Sequence, residues 1–439
     1  MTETNPFTEI AAIEAPTYKN TRTLLTLGGV PFTMWDVVKA SLGARLNLGL
    51  LGEAGGGKSQ LNEDIISLFG NNATRTRGRN DLDVKGLYRQ LNFSALKEAM
   101  DEGSTVSQKA LIEATSQIYR PLVAVEEINR CMEVVQNQFF NIFEGFIELE
   151  NGEKYLLGGT QMETFRDFDG SEWTQNIRYS VGVWTANFGN GEYAGAVSMD
   201  KAMKERSHVI IDVDNCYPSA PDLDGIILTS GGEVRLKGQE DPADLTDTFA
   251  GAFAYLKQTS HTPNPQELGE ELLLNRYLVL GLDYIPCSAA DDSKRIMKGV
   301  WPAKAEEDDI GNNDDEKLMY RMIFPTSVRG AMTVMSLARS LREYAHAKSG
   351  ERPTVLDSVI ESFKLVGAYS GMVRNTQRIR ENFVGNPYRA ACKVGDVISG
   401  RLEGQRDLIE AIAHSKATET PLTREVKNAC VGEYACFLE

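Results

Sequence analysis

Eight consecutive residues, Gly52, Glu53, Ala54, Gly55, Gly56, Gly57, Lys58 and Ser59, carry the first chemistry legible in the chain. They satisfy the pattern GxxxxGK[ST], in which backbone N–H groups turned inward wrap a triphosphate. Cβ atoms would obstruct so close a wrap, hence the glycines. The helix that follows aims its N-terminus at the phosphates. Lys58 would lie between β- and γ-phosphate oxygens, and Ser59 would give a hydroxyl to Mg²⁺. The plain alternative is a Gly-rich turn before a helix. The apolar run LNLGLLGE (46–53) ahead of it argues for the phosphate loop.

Two acids close a second apolar run, PLVAVEE (121–127). A buried strand ending this way can turn its first acid, Glu126, toward Mg²⁺ and use the second, Glu127, as the base that polarises attacking water. Asp is more usual than Glu at the first position, and Mg²⁺ tolerates little departure from octahedral geometry. The plain alternative is a surface strand end carrying two acids. It loses ground once a phosphate loop stands upstream.

These groups need a scaffold that brings strand ends together. From about residue 30 to 215, short apolar runs alternate with helical patterns, which implies a parallel sheet covered on both faces. In KSQLNEDIISLFG (58–70), Leu61, Ile65 and Leu68 fall at helical spacing. Val135, Phe139, Ile142, Phe143 and Phe146 form one apolar helical face after Glu127. YSVGVWTAN (179–187) reads as a further buried strand. Residues 1–30 are polar and mixed, a loosely held lead-in, and 150–178 read as a hairpin and loop. Residues 216–320 are less regular and include an acidic loop at 305–316. Helical periodicity returns at 326–375, with Val334, Leu337, Ala338 and Leu341 in phase; the last ~60 residues show no nameable pattern. In TRTRGRND (74–81), Arg75, Arg77 and Arg79 alternate along one strand face. A solvated edge is favoured there over a basic binding patch.

Composition bounds the partners. At 439 residues the chain accommodates two or three domains. Hydrophobic residues make up 42% and charged residues 25%, as in soluble globular proteins. No apolar run reaches the ~18 residues of a membrane span. The N-terminus MTETNPFTEI lacks the regions of a secretory signal, so a cytoplasmic location is expected. A net charge of −16 repels nucleic-acid phosphates and anionic lipids, so a protein is the expected partner. Six scattered cysteines without a CxxC pair read as reduced thiols, and four histidines leave little for a zinc site.

Several stretches resemble MoxR-type AAA+ ATPases. VAVEEINR (123–130) is similar to their Asp-Glu-Ile-Asn-Arg strand end, and VVQNQFFNIFEGFIEL to the next helix. TANFGNGEYAGAVSMDKAMKER (185–206) resembles the stretch running from the first sensor to the arginine finger. PTSVRGAMTVMSLARS (325–340) resembles the sensor-2 helix, and TVLDSV (354–359) the segment after it. Asp83-Val84-Lys85-Gly86-Leu87 stands in the place of an Asp-Leu-x-Gly motif. The segment 88–120 would then be a helix-2 insert, and 150–178 the hairpin before the first sensor.

The resemblance implies an αβα P-loop core of AAA+ type at 31–215, after a 1–30 lead-in. An insertion or linker would follow at 216–324, then a helical lid at 325–375 and a C-terminal extension at 376–439. It implies Asn187 as sensor 1 beside Glu127, Arg206 as the arginine finger for a neighbouring subunit, and Arg329 as sensor 2, linking the lid to the nucleotide. Lys204 competes with Arg206 for the finger role. It further implies ATP and Mg²⁺ as cofactors and a homo-oligomeric ring, a hexamer by analogy. ATP hydrolysis there would remodel or mature a protein partner, with a von Willebrand A domain protein as the implied class. Two other readings stand beside it. One is a slow-cycling, nucleotide-gated scaffold, which the Glu at 126 would favour. The other is a nucleic-acid-directed motor, which the net charge opposes.

Overall fold

Five parallel strands form the central sheet: β1 (Leu48–Gly52), β2 (Ala73–Arg77), β3 (Leu122–Glu126), β4 (Val181–Asn187) and β5 (Val209–Asp212). They lie in the order β5-β1-β4-β3-β2. The structure is a computed structural model. It describes residues 5–105, 107, 109–166, 171–187, 201–230, 243–261, 264–286, 293–295, 314–324, 326–373 and 377–438. Every residue of β1 is buried, as is every residue of β4 before Asn187. Strands covered on both faces need apolar side chains on both, so these segments run continuously apolar rather than alternating.

The helices that cover the sheet and carry the site are α1 (Met34–Gly43), α2 (Lys58–Ser67), α3 (Glu133–Phe143) and α4 (Lys201–Arg206). Beyond them come α5 (Val328–Ser349) and α6 (Val355–Gly367). Thr33 and Asp36 start α1 with a reciprocal capping box, and Ser327 and Thr354 cap α5 and α6 through their hydroxyls. In α2, Leu61 and Ile65 are fully buried, and Leu68, just past its end, is nearly so. Val135, Phe139, Ile142 and Phe143 form the buried face of α3. Phe146 does not extend that face. Gly145, at φ 85°, ends the helix, and Phe146 opens a short strand, Phe146–Glu148, paired with Lys154–Leu156. A second hairpin, Gly159–Arg166 with Glu172–Tyr179, rises before β4. Trp173 packs there with Ile177 and Ala254.

Regions that read as irregular in the sequence are largely helical. Ala220–Ser230, Thr246–His261, Pro265–Val279 and Asp314–Met322 are helices, as are Pro387–Glu403 and Arg406–Ala417 near the C-terminus. The acidic stretch up to residue 313 lies outside the described residues. α5 packs on α6 and α1, and Pro265–Val279 packs on Arg406–Ala417. The result is an α/β core with a parallel five-stranded sheet, joined to a helical region that uses most of the C-terminal third.

The N-terminal stretch is tied down more firmly than its polarity suggests. Phe7 and Ile10 are fully buried, and the Asn5 amide donates to the Glu343 carboxylate on α5. Residues 23–33 form a hairpin, Thr23–Leu27 with Val30–Thr33. Two or three large side chains in a polar segment are enough to dock it when each is wholly removed from water.

Candidate nucleotide-binding site

The loop between β1 and α2 takes its shape from glycines. Gly52, Gly55 and Gly57 have φ of 147°, 87° and 86°, values that side chains with a Cβ rarely adopt. A Cβ on Gly52 would also come within 2.5 Å of Val213 Cγ2, and one on Gly57 within 3.1 Å of the Tyr18 ring. The backbone therefore lies pressed between Val213, just after β5, and Tyr18, and only glycine fits. Tyr18 is fixed in turn, because Asp64 on α2 accepts from its N–H at 2.6 Å.

Lys58 opens α2 and is buried. Its ammonium donates to the carbonyls of Gly52 at 2.8 Å and Glu53 at 2.5 Å. Burial lowers its pKa, and the nearby Asp214, Asp212, Glu127 and Glu53 carboxylates oppose that. A desolvated cation hydrogen-bonded to loop carbonyls is a ready partner for phosphate oxygens. Asp214 braces the loop from the β5 side by accepting from Glu53 N–H at 2.7 Å. Burial pushes the neighbouring Asp212 carboxyl up to about 6, although Tyr369 of the helical region and Asp214 N–H both donate to it. Tyr369 thus ties the end of β5 to the segment after α6.

The two acids at the end of β3 part company. Glu126 stays in the ladder, in register with Arg77 of β2. Glu127 leaves it at φ 52°, a left-handed conformation that costs a residue with a side chain about 1–3 kcal/mol. Its N–H donates to Thr185 Oγ1 of β4 at 2.9 Å, which anchors the turn. Its carboxylate is held by two arginines. Arg77 donates through Nε and Nη2 at 2.9 and 2.8 Å, and Arg130 Nη2 stands 2.9 Å from the other oxygen. Asn187, at the end of β4, lies in register with Gly52. Its carbonyl accepts from Asn129, which follows Glu127 on the same turn.

The phosphate loop, Glu126, Glu127 and Asn187 therefore share the C-terminal edge of the sheet. Ser59 is exposed in the first turn of α2. Together with Glu126 it offers the hard oxygen donors that Mg²⁺ prefers, and the glycine cradle fits a polyphosphate. The residues present thus fit the nucleotide and the ion.

Arg206 and Arg329 lie elsewhere. Asn47, Ser180 and His208 immediately precede β1, β4 and β5, and with both arginines, Arg45 and Glu144 they line a cavity of about 220 Å³. This is the N-terminal edge of the sheet. A five-residue strand spans ~13–16 Å, so neither arginine stands beside its own chain's phosphate loop. Arg206 is three-quarters buried there, beside Glu144 and the Phe140 ring. For Arg329, expected to link the lid to the nucleotide, the position is a difference, because the start of α5 packs beside the end of α3 rather than over the loop. Lys204 is part-buried on α4, and burial lowers its pKa. Residues 188–200, between Asn187 and α4, lie outside the described residues.

Arg77, Arg130, Asp214 and Glu144 were not singled out as site residues in the sequence. Arg77 belongs to the run whose alternation reads as a solvated edge. Its spacing does place it on a strand, and only the β2–β3 register brings it to Glu127. We expect Arg77→Ala to free one oxygen of that carboxylate and raise basal ATP turnover by about two- to fivefold, the ~0.4–1 kcal/mol worth of an ion pair whose arginine is largely exposed. ATP affinity should be unchanged. Steady-state phosphate release and nucleotide titration check this, and a fall in turnover would mean that Arg77 supports the base.

No family model matches the chain, and no curated protein matches it. Among solved structures, 145 chains match. One is the crystal structure, at 2.00 Å, of a candidate ATPase from Cytophaga hutchinsonii. It aligns over 81% of this chain and 86% of that one, with a TM-score of 0.50 and 11% identity. At that identity the likeness is one of fold.

Proposed function

We propose that the chain is a P-loop ATPase of the MoxR-type AAA+ group, acting in a homo-oligomeric ring to remodel or mature a protein partner. The observation that carries this reading is the division of the chemistry between two edges of one sheet. The phosphate loop, Lys58, Glu126, Glu127 and Asn187 lie on one edge; Arg206 and Arg329 lie on the other. Arginines beside a phosphoryl group gaining charge in the transition state accelerate hydrolysis strongly. Here they can do so only for a nucleotide held by an adjoining copy. The reading thus gives both arginines to the neighbour, including Arg329.

Within that site Ser59 and Glu126 would hold Mg²⁺, which neutralises phosphate charge. Lys58 would exchange its loop carbonyls for β- and γ-phosphate oxygens. Glu127 would take the proton of attacking water, with Asn187 orienting that water. The net charge of −16 supports a protein partner over nucleic acid, and a von Willebrand A domain protein is the class the resemblance implies. The cytoplasm is the location that fits this reading. Among the described residues no helix is long and apolar enough to cross a membrane.

The test is phosphate release by the purified chain with ATP and Mg²⁺. Lys58→Ala should weaken ATP binding or turnover at least tenfold, equivalent to ~1.4 kcal/mol. Unchanged affinity together with unchanged turnover would remove the reading. A second reading, a slow-cycling nucleotide-gated scaffold, is favoured by the two arginines on Glu127. Tight ATP binding with release far below one turnover per minute would select it.

A further inference from the structure

Glu144 stands at an unexpected place for an acid. It caps the C-terminus of α3, an 11-residue helix. A helix C-terminus carries partial negative charge and disfavours a carboxylate. Nothing within α3 offsets this, so the residue's partners lie outside the helix.

Those partners are the two arginines of the N-terminal edge. Arg329 Nη2 donates to Glu144 Oε1 at 2.8 Å. Arg206 Nε stands 2.9 Å from the same oxygen, within ion-pair distance but not aligned as a hydrogen bond. One arginine ends α4 of the core, and the other begins α5 of the helical region. A single oxygen thus joins two cations from two parts of the molecule. Among the described residues Glu144 is the one acid lining the cavity, against Arg45, Arg206 and Arg329. His208 adds no charge there: Asn47 N–H donates to its Nδ1, and burial brings its pKa down to about 4. Without a carboxylate, like charges so close would push apart.

The two arginines are held unequally. Arg206 lies over the Phe140 ring, 4.7 Å from its centroid, and donates to Ala202 O at 3.2 Å. For Arg329 the Glu144 carboxylate is the one side-chain partner among the described residues, and 40% of its side chain is exposed. Removing the carboxylate would leave Arg206 nearly in place and release Arg329.

We propose that Glu144 is a positioning residue that gathers Arg206 and Arg329 into one cationic pair for the phosphoryl group of a nucleotide held by an adjoining copy. This rests on the ATPase reading above. Glu144 touches no phosphate itself. It sets the spacing of the pair and makes the helical region's arginine report to the core.

The test uses the full chain with ATP and Mg²⁺. Glu144→Gln keeps size and polarity but cannot balance two cations. Its kcat should fall about tenfold while KM for ATP changes by less than about twofold, because its own phosphate loop is untouched. Glu144→Asp should recover part of the rate. In an Arg329→Ala background, Glu144→Gln should cost little more, since the pair is already broken. A full rate in Glu144→Gln overturns the proposal. So does an equal loss in both backgrounds, which would indicate a merely structural role. If the wild-type chain is active and Arg206→Ala is not, while Glu144→Gln is unimpaired, this inference alone falls. If the wild-type chain releases no phosphate, the ATPase reading falls and takes this inference with it.

Discussion

Replacing Glu127 by Gln should leave a protein that binds ATP and Mg²⁺ but hardly turns ATP over. The amide cannot accept the proton of attacking water, and a positioned general base contributes about 10²–10⁴-fold. The backbone argues for Glu127 over its neighbour. Glu126 remains in the β3 ladder, whereas Glu127 swings out at φ 52°, with its N–H anchored on Thr185. That strained turn is held in place by neighbouring strands, so the carboxylate is aimed rather than free. Glu126→Gln should act differently, by shifting the Mg²⁺ concentration needed for half-maximal turnover. Single-turnover hydrolysis and a magnesium titration on both variants decide the matter. Normal turnover by Glu127→Gln beside a dead Glu126→Gln would exchange the two roles.

Arg206→Ala is expected to bind ATP as before and to lose hydrolysis by about 10³–10⁵-fold, the range for arginines that act on a phosphoryl group from a neighbour. Its position at the N-terminal edge means that its own loop cannot feel the loss. Activity per subunit should therefore rise with protein concentration in the unmodified chain. Mixing is the sharper measurement. Arg206→Ala supplies an intact phosphate loop, and Lys58→Ala supplies an intact arginine pair. Each variant alone should be nearly inactive, and a mixture should regain activity where the intact halves meet. Mixed assemblies with no recovery, and a rate per subunit flat with concentration, would exclude catalysis shared between copies. Lys204, also on α4, would gain nothing from that outcome unless its own alanine variant were inactive.

The parts of the fold legible in the sequence are those whose burial is two-sided. β1, β3 and β4 are central strands, and LGLL, LVAV and VGVW are apolar throughout because helices cover both faces. β5 is not legible, because its strand is only four residues, VIID, too short for a pattern. The helices at 246–261 and 265–279 are hidden for another reason. Their contacts are shared among several neighbours, so no single apolar stripe emerges. Start signals were nevertheless present. Asn264-Pro265 and Asn386-Pro387 each place a capping Asn before a proline at the first helical position, and each begins a long helix. The glycine loop at 52–58 is legible because its pattern is local in sequence. The Arg77–Glu127 and Arg206–Glu144–Arg329 groups are not, since each depends on strand register or helix docking between segments up to 185 residues apart.

The position of β2 at the outer end of the sheet has a consequence for solubility and storage. Among the described residues no strand pairs with its free side. Such a row of unpaired N–H and C=O groups can template another chain and seed aggregates. Arg75 and Arg77 are exposed on this strand, and their charge discourages a second copy from zipping alongside. Each is paired with an acid of its own chain, Arg77 with Glu127 at 2.8 Å and Arg75 with Glu63 at 3.0 Å. High salt, which shortens the screening length to about 3 Å at 1 M, should therefore shorten the shelf life of the concentrated protein. The same strand that restrains the proposed base also keeps the sheet from growing.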